Sequence, residues 1–360
     1  MKKHYFLLSL LLSFIALSGV SQNVNIPDAN FKAALVADNS INTNMDSEIQ
    51  VTEAQAYTGA IDVQGLSISD YTGLEEFINI TSFDGKFNDV SSIDVSALTK
   101  LVTLDLGANT VITTLDVSTN ILLETLNLAE CFALTNLTFG NNTALATLSL
   151  REAGTTTVDF SNLTALKDLD MNSTGLGTTP PSSLDFSNNV NLETVVVRHS
   201  NVTSLDFSNN NKLTSIEVDF NSMMTTLSIK NGANALITQL IANNNASLTS
   251  ICVDDVTFAT NQAGWNPGGA TYTASCTLSN SDVVAFESQV VFQNPVKNEI
   301  DLQLNSGKSV KKMKVFNLSG KEIMTSDNAT MSVQRLNHGL YLLYVESNAG
   351  EVAVKKFIKI

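Results

Sequence analysis

Eight carboxylates recur at spacings that could bring them side by side. Asp94, Asp116, Asp159, Asp185 and Asp206 each sit between two apolar residues, and Asp105, Asp170 and Glu217 hold the same place in the intervening tripeptides. In a short strand alternate side chains face opposite ways, so an acid flanked by two inward apolar residues points to water. Strands stacked about 4.8 Å apart would raise the first five from one face and the other three from the alternate one. Acids that close repel one another or share a cation or a basic partner. A pair about 5–9.5 Å apart could also act as acid and base in glycan cleavage. The regularity argues against a reaction centre, because a repeat copies its acid for solubility and edge protection; the face reads as solvated or, alternatively, as a partner-binding face.

A second set of oxygen ligands lies near the N-terminus. Asn42, Asn44, Asp46, Glu48, Gln50 and Glu53 fall at the first, third, fifth, seventh, ninth and twelfth places of an EF-hand-like calcium loop, with Ile49 at the eighth. Asn42 replaces the expected Asp and Ser47 the glycine of the sharp turn, which lowers the attraction for calcium. The loop therefore reads either as a calcium site built on Asn42, Asn44, Asp46, Glu48 and Glu53 or as a relic turn ahead of a helix over 51–56. Elsewhere the chain is poor in chemistry. His4 lies in the leader and His338 near the C-terminus, and His199 follows the strand Val195-Val196-Val197 as a solvent-facing turn residue. No Ser/His/Asp arrangement, metal-spaced His/Cys cluster or glycine-rich phosphate loop occurs.

The elements that must carry the carboxylates are set by a repeat. An apolar-x-apolar tripeptide starts at Ile93, Leu104, Leu115, Leu126, Leu137, Leu148 and Val158, and continues to Ile251, mostly in steps of 11 residues. Alternate tripeptides are the more alike, so the unit is about 22 residues, as in Leu-Asp-Val-Ser-x-Asn-x-x-Leu-x-x-Leu-x-Leu over 115–128. About eight residues between strands leave no room for a helix of average length (about 11–12 residues), so the array is mainly β and loop. Asn109, Asn120, Asn142, Asn189, Asn210 and Asn221 recur three places after the strand, where an amide can satisfy backbone groups of adjacent coils. Residues 172–184 break the period with an insertion that includes Pro180 and Pro181, read as a bulged loop.

Charge divides the chain. Residues 1–282 carry 28 acidic and 10 basic side chains, a net of −18, and residues 283–360 carry 7 and 10, a net of +3. The acidic part would repel nucleic acid and anionic membrane, so neither is an expected partner. Lys2 and Lys3, an apolar run from Phe6 to Leu17, and small residues 18–21 have the order of a signal peptide, and no later stretch is apolar enough to span a bilayer. Three cysteines allow at most one intrachain disulfide.

The signature L-x-x-L-x-L-x-x-N/C is matched by Leu101 to Asn109 and by Leu123 to Cys131. Over roughly residues 90–254 the chain closely resembles the leucine-rich repeats, in particular the 22-residue type common in surface proteins of the Bacteroidetes. The resemblance implies binding of a protein or other ligand and no catalysis. Residues 22–90, which open on Asp28 and a short helix packed through Phe31, Leu35 and Val36, resemble the flank often seen before such repeats. Similar proteins close with a cysteine-linked flank, which implies a Cys252–Cys276 disulfide. Closing that loop would stabilise by about 3 kcal/mol. Cys131 holds the Asn/Cys place of the signature and reads as a buried structural thiol.

The last residues read as short strands of a small antiparallel sandwich. Asn294-Pro295-Val296, Val315 to Lys321 with Gly320, His338-Gly339-Leu340-Tyr341 and Val354 to Ile360 with Lys355 and Lys356 resemble the type A C-terminal sorting domain of the type IX secretion system. That resemblance implies passage across the outer membrane and engagement of the secretion machinery.

The expected organisation is a signal peptide over 1–21, an N-terminal cap over 22–90, a solenoid over 91–254, a cap or linker over 255–282 and a sorting domain over 283–360. The expected function is a non-catalytic exported binding protein for a protein or glycan ligand, secreted or held on the outer cell surface after passage through the periplasm. An exported polysaccharide-degrading enzyme and a structural surface-layer protein are the alternatives. No cofactor is expected unless the 42–53 loop takes calcium.

Overall fold

The computed structural model describes residues 22–155, 158–173, 183–200, 202–275, 290–304, 309–317, 321–348 and 352–360. The chain divides into two compact units, one running to Ala274 and one from Ser275 to Ile360. The first is a mainly β solenoid. Among the described residues, ten three- or two-residue strands form one parallel sheet, from Ala60–Asp62 through Thr103–Asp105 and Ser215–Glu217 to Trp265–Asn266. A shorter parallel sheet holds Ser183–Leu184, Ser204–Asp206, Thr226–Ser228, Ser250–Cys252 and Thr271–Thr273, and Thr114–Asp116 pairs separately with Asn136–Thr138. Successive tripeptides therefore alternate between sheets, which is why the unit is about 22 residues.

Register follows from the apolar residue at the centre of each strand. Leu104, Leu126, Leu148 and Leu169 are aligned partner to partner, and all are almost wholly buried. Removing a leucine side chain from water stabilises by about 1.5–3 kcal/mol, and a one-residue slip would turn the whole column outward.

At the corners the recurring asparagines hold one coil to the next. Asn120 Nδ2 donates to Val95 O and Leu98 O at 2.9 and 2.8 Å, Asn189 to Phe160 O and Leu163 O, and Asn210 to Phe186 O and Asn189 O. All three are fully buried. A buried turn needs such donors because its carbonyls are cut off from water. The ladder includes Asn88 and Asn245, which the tripeptide count missed.

Both ends of the solenoid lie further out than the sequence boundaries. Strands Ala60–Asp62 and Ser82–Asp84 belong to the longer sheet, so coils begin inside the 22–90 segment. Gly85 hides the second of them, since it stands where an inward apolar residue belongs. The ring of Tyr71 fills the space, edge-on to Phe31 and Phe83, and its hydroxyl donates to Gly85 O. At the other end Trp265–Asn266 and Thr271–Thr273 add a last strand to each sheet, so the coil runs through the 255–282 segment as far as Thr273. Helix α1 (Ala29–Ala37) is capped by the Asp28 carboxylate and buries Phe31 and Leu35. Helix α2 (Val51–Ala56) follows the 42–50 loop. The insertion with Pro180 and Pro181 lies outside the described residues.

The second unit has its own core, built on Met313, Val315, Leu343, Val345, Ala353 and Phe357. Four antiparallel strands, Glu322–Ser326, Val310–Phe316, Gly339–Ser347 and Val352–Lys359, lie side by side in that order, with two further strand pairs.

Candidate functional site

Seven of the eight repeated carboxylates accept the backbone N–H two residues on. Asp94, Asp116, Asp159, Asp185 and Asp206 each accept the backbone N–H of the serine two residues on, at 2.8–3.0 Å. Asp105 and Asp170 accept from Gly107 and Asn172 in the same way. An Asx turn of this kind takes the N–H that would have continued the strand. The side chain is short and carries an acceptor at these places because the turn requires it, whether or not a ligand is present, and Asn127 makes the same turn with Ala129.

The serines also leave an electrostatic mark. Hydroxyl and amide bonds from Ser96, Ser118 and Ser187 hold Asp94, Asp116 and Asp185 below the ordinary carboxylate value, and the Ser161 amide and hydroxyl do so for Asp159. A carboxylate depressed in the folded state adds stability above its unfolded value near 3.8, and that stability is lost as pH falls through the folded value. Thermal melts should therefore move to lower temperature below about pH 4. The quadruple Asp→Asn variant, which keeps the turn acceptor without a titrating charge, should show a shallower decline.

The 42–53 loop is closed by its own donors. Asn44 and Gln50 amides donate to Asp46 Oδ2, and the Glu48 N–H donates to Asp46 Oδ1. Lys32 Nζ bridges both oxygens of Glu48 at 2.6 and 2.7 Å. Glu53 accepts from Thr43, from the Asn44 N–H and from the Gln50 N–H, which makes it half of a capping box for α2. Asn42 is buried and donates to Val36 O and Asp46 O. Every carboxylate oxygen in the loop thus faces a protein donor, which does not fit a cation. Among the described residues no group of three or more His, Cys, Asp or Glu side chains is placed to hold a metal.

Cys131 is a free, buried thiol that donates to Leu106 O at 3.3 Å, in the place where other coils carry asparagine. Burial pushes its pKa up to about 11. A disulfide-forming thiol reagent at pH 8 should leave it untouched in the native protein and react once the coil is unfolded. Cys252 is disulfide-bonded, and Cys276 lies outside the described residues.

In the second unit Asn294 ties the segment around Pro295 to the last strand, donating to Lys356 O and accepting from Ile358 N. Tyr341, two residues after Gly339, stacks on Phe357 at 5.6 Å. Lys355 lies half-buried and Lys356 exposed on that last strand, and Gly320 is outside the described residues.

Glu217 is the exception among the eight. Its side chain is one methylene longer than an Asx turn uses, and its partners Arg198 and Gln239 line a cleft of about 580 Å³ at the C-terminal end of the longer sheet. Three adjacent coils depart from the Asp rule there, with Val196, Glu217 and Ile241 in register. Two residues beyond each stand Arg198, Asp219 and Asn243. Arg198 grips the buried Asp219 with Nε–Oδ1 at 2.7 Å and Nη2–Oδ2 at 3.1 Å, and approaches Glu217 at 3.7 Å. Gln239 donates to Glu217 at 2.7 Å. The next residue in each coil has a left-handed backbone, and here the column carries His199 and Phe220, stacked at 4.3 Å. Gly264 lets the last coil close in, since a Cβ there would lie 2.1 Å from Thr238 O. None of the residues that line this cleft was a candidate site residue in the sequence; the signal for them was the loss of aspartate at three successive strand ends.

Residues 290–360 match the family model described as the secretion system C-terminal sorting domain. No curated protein matches the chain. Among solved structures, an internalin from Listeria monocytogenes is similar at 16% identity and a TM-score of 0.37, over 71% of this chain and 94% of that one. Internalin C2 of the same organism is similar at 15% identity and a TM-score of 0.38, over 70% and 97%. A leucine-rich-repeat protein of Leptospira interrogans reaches 13% identity and 0.32, over 53% and 65%. The first unit is a β-solenoid, and residues 290–360 are similar to the secretion system C-terminal sorting domain.

Proposed function

We propose that the protein is exported by type IX secretion and acts, released or on the outer cell surface, as a non-catalytic binding protein for a protein or glycan. The supporting observation is the outward face of the longer sheet, ten register-matched strands that end in a cleft, on a chain whose last residues match the sorting domain. A rigid parallel sheet holds outward side chains at fixed spacing, which suits a surface that recognises shape. Calcium has no part in this reading, so melts with calcium and with a chelator should coincide.

The test is a screen of the chain lacking residues 1–21 against purified polysaccharides and cell-surface proteins, followed for both binding and product. Saturable binding without product is the expected result. Product release from a polysaccharide would make the protein an enzyme, and self-association without any foreign ligand would make it a surface-layer component.

A further inference from the structure

The four-stranded sheet of the second unit is apolar on both faces. A sheet that packs one face on a core ordinarily turns polar residues outward on the other. Along Gly339–Ser347 the core takes Leu343 and Val345, which turns Leu340, Leu342 and Tyr344 to the opposite side. The register sets Leu340 beside Ile358, Tyr344 beside Val354 and Leu342 beside Phe316. None of these six side chains belongs to the unit's core. Leu340, Val354 and Ile358 are 41, 45 and 48% exposed. With Ile323 on the next strand they make an apolar field of about 17 by 19 Å, on the order of 300 Å², at the usual strand rise and spacing. A patch of that size on a monomer is often an interaction site.

Charge, size and edge chemistry decide what fits it. The lysines of Val310–Phe316 are already paired, Lys314 with Glu322 at 2.8 Å, Lys312 with Asp327 at 3.8 Å and Lys311 with Glu346. The field is close to neutral, without the cluster of about 4–8 cations that draws a protein to an anionic membrane. A second copy suits it no better, because a stable dimer buries about 800 Å² on each partner, well above what the field offers. Strand addition is hindered as well. Asn294 and Val296 take backbone groups of Lys356, Ile358 and Ile360 on the outer side of the last strand, and Lys355 and Lys356 guard the rest of that edge. What remains is face-on contact with an uncharged apolar protein surface, small enough for a brief encounter. A sorting domain needs recognition of that kind, made and then released.

We propose that this field is where a protein of the secretion apparatus reads the chain, through a flat apolar surface that packs on Leu340, Tyr344 and Ile358. The inference rests on the export reading above and deepens it by putting recognition on one face of the second unit.

The full chain is to be produced in a bacterium with type IX secretion, and its share outside the cell compared with its share in the periplasm by quantitative immunoblot. The triple variant Leu340→Thr, Tyr344→Thr and Ile358→Thr keeps good strand formers and removes the apolar field. It should lower the exported share at least fivefold and accumulate in the periplasm. Val291→Thr, which changes an equally exposed apolar residue on another strand, should export as the unaltered chain does. Circular dichroism melts check that the variants fold; should the triple variant melt early, Ile358→Lys alone should still lower export at least threefold. Undiminished export of a folded face variant overturns the proposal. Binding of the unaltered chain to phosphatidylglycerol vesicles, or a dimer in sedimentation, that the triple variant loses would give the face to a membrane or to a second copy and overturn it as well. Deletion of residues 290–360 separates the two readings. If the deletion abolishes export and the face variants do not reduce it, the face assignment alone is wrong; if the deletion leaves export intact, the export reading falls too.

Discussion

Replacing Asn88 with alanine should destabilise the solenoid by about 3–5 kcal/mol, read as a shift in the urea midpoint. Asn88 is 2% exposed and works in both directions. Its Nδ2 donates to Val63 O at 2.8 Å and to the Tyr71 hydroxyl at 2.9 Å, while its Oδ1 accepts from Ile68 N and Leu66 N at 2.9 and 3.1 Å. Alanine would remove these bonds, and those to Gly85 O and Lys86 O, and leave the Ile68 N–H without an acceptor in the interior. Stranding a buried group costs about 1–3 kcal/mol, more than an ordinary bond contributes. Asn210→Ala should cost less, about 1–3 kcal/mol, because Asn210 donates two bonds and its Oδ1 accepts none. Equal losses at the two positions would mean that the ladder acts through side-chain volume and not through its hydrogen bonds.

The second large effect is expected at Phe186. In three successive coils on the shorter-sheet side, Phe160, Phe186 and Phe207 turn inward and their rings form a column with centroids 5.2 and 5.6 Å apart. Phe186 stands in the middle at 1% exposure. Phe186→Ala should cost about 3–5 kcal/mol, since the loss of transfer energy is joined by a cavity that stacked, parallel strands cannot collapse into. Phe186→Leu, which keeps most of the volume, should cost about 1–1.5 kcal/mol. The double variant with Phe207→Ala should fall short of the sum of the two singles, because both would open the same cavity. Full additivity in denaturant melts would show that the column is not one packed unit.

Much of the architecture was legible because a solenoid writes its geometry into spacing. Leucine every 11 residues, with asparagine three places past the strand, leaves few other folds able to bury the apolar column and pair the corner carbonyls at once. The carboxylates were harder to read. A tripeptide such as Leu115-Asp116-Val117 shows that Asp116 faces outward, but its partner is the N–H of Ser118, one residue beyond the tripeptide. The recurring serine was the available signal that aspartate is a turn residue here. Spacing likewise placed Asn42 to Glu53 in a calcium-like order, yet the donors that occupy those oxygens include Lys32, ten residues upstream and invisible to a loop motif. The first coils were concealed because Tyr71 supplies from the return loop the ring that Gly85 cannot. The cleft was concealed for the opposite reason. A repeat search looks for agreement, and Val196, Glu217, Ile241 and Phe220 matter where coils disagree.

A binding solenoid is defined by the face on which it meets its ligand. The decisive measurement is the affinity of the best ligand from the binding screen for two variants of the chain lacking residues 1–21. Glu217→Lys alters the longer sheet at the cleft, and Asp206→Asn alters the opposite sheet while preserving its turn acceptor. Loss of at least tenfold in affinity for Glu217→Lys with little change for Asp206→Asn is the expected result. The reverse order, or a ligand converted to product, would contradict the assignment of this protein as a binding solenoid that works through its longer sheet.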